Sequence, residues 1–308
     1  MQIKGFFSNS SALFQLGVLL YFILIGLLLN TAIGHAVVYI AEHFFGSKYA
    51  TESYEGVSFY ATHASQLLSS ILIFILPALI TAYFCSNKPI EFLKIKRHIN
   101  IKVLLLSAIM LFLIAPVIDI TSSLNSKIHL PDFLAPVTDW MQKTEEHTAG
   151  ITEKTLSEEG FFALVTNIFI IGIMAGVAEE FFFRGALTSI ITKKIKNPHT
   201  VIWLVAIIFS IIHFQFSGFI PRMLLGAFLG YLLYWTKNIW VPVFVHFLNN
   251  TIAIIGYKLG FFKLSNESPA LISSDTNIFT TIVAVLAGLT FFIICKKKIK
   301  KINLKEQS

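Results

Sequence analysis

A chain of 308 residues with a formal charge of +7 is 55% hydrophobic and only 13% charged. That is too few charges to clothe one or two soluble domains in water, since such domains carry roughly a quarter charged residues. A mean hydropathy of +0.73, 30 Phe beside 9 Tyr and 4 Trp, and only 2 Cys exclude a soluble enzyme, a disordered segment and a disulfide-stapled secreted domain, leaving an all-α polytopic membrane protein.

A membrane-crossing helix needs about 20 predominantly apolar residues. Apolar runs at 12–41, 65–85, 101–119, 161–192, 199–216, 222–235, 239–257 and 278–295 predict eight crossings. The first run is longer than the apolar core of a signal peptide, so it is expected to be retained. Between the third and fourth runs the segment of about 120–160 is acidic, with Asp132, Asp139, Glu145, Glu146, Glu153, Glu158 and Glu159. It reads as a solvated outer loop containing an interfacial helix around Leu134 to Met141. The fifth and sixth runs are short and separated by Gly218 and Pro221, which predicts a tight helical hairpin. The predicted organisation is N-terminal membrane helices with the acidic loop over 1–160, core helices over 161–257, and a last helix with a basic tail over 258–308.

The basic residues sort by the positive-inside rule. With the N-terminus inside, sixteen fall on the cytoplasmic side, among them Lys88, Lys94, Lys96, Arg97 and Lys102, and Lys296, Lys297, Lys298, Lys300, Lys301 and Lys305 after the eighth run; seven fall opposite. The expected localisation is a multi-pass protein of the cell membrane with both termini cytoplasmic. The C-terminal lysines read as a topology signal in contact with anionic lipid. They lack the interleaved aromatics that grip nucleic acid, so no nucleic-acid partner is expected. Cys85 and Cys295 each precede a basic segment and read as reduced thiols.

An ionised side chain near the bilayer centre costs at least about 2.5–3.5 kcal/mol, so intramembrane polar residues call for explanation. The fourth run contains Glu179, Glu180 and Arg184 in GVAEEFFFRGAL. Glu180 and Arg184 are four apart with the acid N-terminal, the favoured order for an ion pair on one helix face. Glu179 lies about 100° round the helix from Glu180, a carboxylate of the kind that serves as general acid or base. Gly172 and Gly176 extend the Glu180–Arg184 stripe in steps of four, and Gly226 and Gly230 repeat that spacing in the sixth run, where small residues let helices approach closely. Phe209 and His213 share a face of the fifth run, as His246 and Asn250 share one of the seventh. A single intramembrane His or Asn is more often a helix–helix contact than a catalyst. Depth favours a common site here: at 1.5 Å per residue Glu179 lies roughly 21 Å from Lys193, His213 roughly 22 Å from Pro198, and Asn250 and His246 roughly 20 and 13 Å from Lys237.

The segments Glu179-Glu180-Phe181-Phe182-Phe183-Arg184, Phe209-Ser210-Ile211-Ile212-His213 and His246-Phe247-Leu248-Asn249-Asn250 resemble, in order, the E-E-x-x-x-R, F-x-x-x-H and H-x-x-x-N/D motifs of one family. It is the CAAX protease and bacteriocin-processing family, also called Abi, which includes the type II CAAX prenyl endopeptidases. The resemblance covers about residues 160–257. It implies an eight-span helical fold whose core helices hydrolyse a peptide bond of a membrane-associated peptide or protein, in CAAX-type or leader-peptide processing or in bacteriocin immunity. By position, Glu179 would activate water with His213, while His246 and Asn250 would polarise the carbonyl and hold the oxyanion. Glu180 and Arg184 would orient the site, with Phe209 beside it.

Two chemistries remain open. Metal-free hydrolysis is favoured because Asn250 is a better hydrogen-bond donor than zinc ligand; alternatively Glu179, His213 and His246 would hold zinc. No H-E-x-x-H or G-x-S-x-G is present to support another protease class. The rival functions are a proton-coupled transporter using Glu179 and a non-catalytic membrane scaffold. Oligomeric state is not legible.

Overall fold

Inside a bilayer every backbone N–H and C=O must find a partner within the protein, which turns apolar runs into helices. A computed structural model describes residues 3–45, 59–96, 98–128, 131–261 and 278–305, and among them every regular element is helical. In chain order these are α1 (Ala12–Phe45), α2 (Phe59–Ser69), α3 (Leu76–Cys85), α4 (Pro89–Phe92), α5 (Ile101–Asn125), α6 (Ala135–Ser157), α7 (Phe161–Asn167), α8 (Ala175–Glu179), α9 (Thr188–Lys194), α10 (Pro198–Ile211), α11 (Phe219–Thr236), α12 (Trp240–Lys258) and α13 (Ile278–Lys305). Three π-helical stretches, with i→i+5 hydrogen bonds, join several of them: Ser70–Ile75 between α2 and α3, Ile168–Met174 between α7 and α8, and Glu180–Leu187 between α8 and α9.

Among the described residues, six helices are long and apolar enough to cross a membrane: Ala12–Ala36, Thr62–Cys85, Ile101–Asn125, Phe161–Lys194, Phe219–Thr236 and Trp240–Lys258. They correspond to six of the eight predicted runs. The fifth run forms α10, apolar but shorter, and the eighth lies in α13. The chain is an integral, multi-pass helical membrane protein. Cys85 and Cys295 are both free thiols.

The acidic segment departs from its sequence reading. Instead of a loop with a short helix at Leu134 to Met141, α5 runs on to Asn125 and α6 is 23 residues long. Its hydroxyls bond back along the helix, Thr144 to the Trp140 carbonyl and Thr148 to that of Thr144, and Gln142 donates to Glu146 at 3.0 Å. A search for apolar runs cannot see a helix held by polar contacts of this kind.

The chain divides into two compact units. The first comprises Met1–Ile95 and Gly150–Asn197, the second Lys96–Ala149 and Pro198–Ser308, the boundary falling within α6. In the first unit α1 packs along α3 and the Ser70–Ile75 stretch, which in turn packs on α8. Gly26 of α1 sits directly on the Leu72 carbonyl, an approach any side chain would block. Phe74 meets Phe182 edge to face at 5.4 Å. Two buried polar contacts tie the unit's helices together: His63 Nε2 lies 2.7 Å from Asn167 Oδ1, and Ser189 Oγ donates to the Phe92 carbonyl at 2.5 Å.

In the second unit α5, α11, α12 and α13 enclose a core of Val103, Met110, Leu229, Leu232, Val245 and Ile299. The α10–α11 hairpin is present as predicted. A Cβ at Gly226 would lie 3.1 Å from Phe209, and one at Gly230 would lie 3.0 Å from Ile202, so both glycines set the close crossing. Asn125 clamps the hairpin turn, its Nδ2 donating to the Phe216 carbonyl at 2.6 Å and its Oδ1 accepting from the Ile220 N–H at 3.1 Å.

Gly26→Ala is expected to destabilise the protein by about 1–3 kcal/mol, the usual cost of overpacking a tight contact. Gly17→Ala, which meets nothing within 4 Å, should leave stability unchanged. Thermal unfolding of both variants in one detergent checks this; equal midpoints would show that the α1 contact is not tight.

Candidate active site

The first-motif residues all belong to the first unit. Glu179 ends α8, half-buried, and Glu180 opens the π-helical stretch that carries Phe181, Phe182, Phe183 and Arg184, all buried. Arg184 Nη1 meets Glu180 Oε1 at 2.8 Å, with side chains 1% and 0% exposed. The predicted ion pair is therefore formed, and formed wholly out of water. The i→i+5 bonding widens the turn, so residues four apart stand more nearly in line than on a regular α-helix. The Arg184 guanidinium also lies 5.8 Å from the centre of the Phe183 ring. One turn before Glu179, Ala175 lines a cleft of about 270 Å³ whose polar wall is Ser65, Gln66, Ser69 and Ser70. None of these four was singled out from sequence, because serines and a glutamine near the start of an apolar run are common.

The second- and third-motif residues belong to the second unit. α10 ends at Ile211, so His213 stands in the turn beyond it rather than on a helix face as read from sequence. The predicted neighbour relation with Phe209 survives. His213 Nδ1 lies 2.7 Å from the Phe209 carbonyl oxygen, and the two rings are 4.8 Å apart. A carbonyl only accepts, so Nδ1 carries the proton and Nε2 holds the basic lone pair. Ser210 Oγ donates to the Phe219 carbonyl at 2.7 Å, fixing the turn from its other side.

Phe209, only 2% exposed, also meets the buried His246 of α12 edge to face at 6.1 Å. One phenyl ring thus contacts both imidazoles, a role its place in the F-x-x-x-H spacing could not disclose. Asn250 follows His246 by one turn of α12, and Asn249 Nδ2 donates to Asn250 Oδ1 at 3.3 Å, which orients the Asn250 amide with Nδ2 as its donor. Within neither unit do three His, Cys, Asp or Glu side chains of the described residues gather closely enough to share a metal ion.

Removing one member of a buried ion pair strands the other, a loss of about 3–5 kcal/mol. Arg184→Ala should therefore unfold at markedly lower temperature than the parent, whereas an E180L/R184M double variant, which removes both charges at similar volume, should regain most of the loss. An R184A protein as stable as the parent would contradict this account of the pair.

Residues 161–252 match the family described as type II CAAX prenyl endopeptidase Rce1-like. The chain is also 27% identical over 116 residues to the uncharacterized protein YpbD of Bacillus subtilis, covering 36% of this chain and 54% of that protein. It is 30% identical over 94 residues to the membrane-embedded CAAX protease MroQ of Staphylococcus aureus, covering 29% of this chain and 38% of that protein. The chain thus spans about half the length of the first relative and less of the second. No solved structure matches it. The stretch that resembles the Rce1-like type II CAAX prenyl endopeptidase family holds all three motifs and makes up just under a third of the chain.

Proposed function

We propose that the chain is an intramembrane endopeptidase that hydrolyses a peptide bond of a membrane-associated peptide or protein, in CAAX-type or leader-peptide processing. Amide hydrolysis needs a base for water, donors where the carbonyl oxygen becomes negative, and a proton for the departing amine. In this reading Glu179 takes a proton from water as the water oxygen attacks the carbonyl carbon, and His213 assists through its basic Nε2. His246 and the Asn250 Nδ2 donate to the oxyanion. As the C–N bond breaks, the proton passes from the carboxyl to the leaving nitrogen. Glu180, neutralised by Arg184, is a positioning residue.

The observation that carries the reading is Phe209. It contacts imidazoles that lie 33 positions apart in sequence on different elements, which scattered helix–helix contacts would not require. The cleft that reaches Ala175, one turn before Glu179, supports it further, since its Ser65, Gln66, Ser69 and Ser70 side offers hydrogen-bonding groups that a peptide backbone or a water molecule in the membrane needs. The match to a CAAX protease in MroQ supports the reaction class. Glu179, His213 and His246 are also of the donor types that zinc accepts, and zinc bound there would supply a more acidic water. The Asn250 amide favours the metal-free version.

Purified protein in detergent, assayed against CAAX-ending peptides with and without a prenyl group, tests the proposal. Glu179→Gln is expected to abolish cleavage at an unchanged unfolding midpoint, and Asn250→Ala to lower kcat by about 10²–10³-fold with little change in KM. Full turnover in E179Q would remove the general-base role. A strong chelator should leave the rate unaltered; loss of activity restored by zinc would move Glu179, His213 and His246 into ligand roles. Flux of protons through proteoliposomes that depends on Glu179, without peptide cleavage, would instead identify a transporter.

A further inference from the structure

A second feature lies apart from the motif residues, within the second unit. α5 and α13 flank a groove of about 420 Å³ lined by Lys102, Leu105, Leu106, Lys298, Lys301 and Ile302. Leu106 and Ile302 pack against the buried cluster that includes Val103, Trp235 and Ile299, so the floor is fixed by the core. Three of its lining residues are lysines, contributed by two helices far apart in sequence, and the wall they form is mainly apolar.

Two further observations say what chemistry this groove faces. At the same end of the unit, Lys296 Nζ lies 5.3 Å from the centre of the Trp235 ring, and Lys237 Nζ lies 4.3 Å from that of Tyr234. Trp and Tyr gathered with lysines at one level mark the boundary between headgroups and hydrocarbon. From Leu105 in the groove an apolar stripe runs on along α5, where Leu105, Ile109 and Phe112 are 57%, 48% and 59% exposed at i, i+4 and i+7. The groove thus combines three lysines with an apolar track along α5.

We propose that the groove is a binding site for an anionic phospholipid. Its phosphate would lie among Lys102, Lys298 and Lys301, and an acyl chain would follow Leu105, Ile109 and Phe112. Lysine binds phosphate as a point charge without demanding a fixed fork geometry, which suits three flexible side chains around one headgroup. The apolar track separates this occupant from a free phosphate ion, which would use only the lysines. A phospholipid held here would tie α5 to α13 and stabilise the second unit by mass action.

The test uses the full chain, delipidated in a neutral detergent. Native mass spectrometry and thermal unfolding follow titration with phosphatidylglycerol, phosphatidylcholine or inorganic phosphate. Phosphatidylglycerol is expected to be retained and to raise the unfolding midpoint, while phosphatidylcholine and phosphate do neither. K102Q/K298Q/K301Q should bind phosphatidylglycerol about tenfold or more weakly, K298Q alone should show a smaller loss, and the corresponding triple arginine variant should keep binding. K297Q/K300Q, which removes two lysines outside the lining, should also keep it. Unchanged binding in the triple glutamine variant, an equal loss in K297Q/K300Q, equal retention of phosphatidylcholine, or a midpoint shift reproduced by phosphate alone would each overturn the proposal.

Discussion

The buried Glu180–Arg184 ion pair is the constraint on which the first unit depends. Two full charges sit among Phe181, Phe182 and Phe183 with essentially no exposure, where either one alone would be strongly disfavoured. Because the partners are four residues apart on one helical segment, the pair can form before any tertiary contact and enter the membrane as a neutral unit. The surrounding phenyl rings then pack against a dipole instead of a bare charge. The cost of desolvation is thus met locally, and the adjacent Glu179 is held at the end of α8 by a segment whose conformation is fixed.

Other buried polar groups follow the same logic with longer reach. His63 meets Asn167 across 104 positions of sequence, and Asn125 meets the turn after α10 across 91. In water such groups could relax towards solvent; in lipid they must find each other, so they specify which helices adjoin. The second unit uses an aromatic side chain for a similar purpose, with Phe209 holding His213 and His246 by their ring edges and faces.

Much of this was legible in the sequence, for physical reasons that also explain what was not. Six of the eight apolar runs appear as helices long enough to cross, because hydrophobic length is a direct measure of a bilayer. The four-residue spacings of Glu180 with Arg184 and of Phe209 with His213 anticipated contacts that occur, because both are local. The glycine spacing in α11 likewise anticipated a close crossing. By contrast α6 carries no apolar signature, and the end of α10 before His213 depends on the clamp from Asn125, a contact no local pattern encodes. The tight seat of Gly26 on Leu72 is invisible for the same reason, since Gly17 and Gly34 on that helix look alike in sequence. The π-helical stretches leave no residue-type mark at all.

Those stretches bear on how membrane depth is counted. Converting residues to ångströms at 1.5 Å each treats the crossing as a uniform rod, and by that ruler Phe161–Lys194 would be about 51 Å long against a hydrocarbon core of about 30 Å. Bonding from i to i+5 coils more residues into each unit of axial length, so the rod is shorter than its residue count suggests. Between Glu179 and Lys193 lies the whole π-helical stretch from Glu180 to Leu187. The Glu179 carboxylate therefore stands closer to the Lys193 end of its helix, measured along the axis, than a uniform α-helical count of roughly 21 Å would put it.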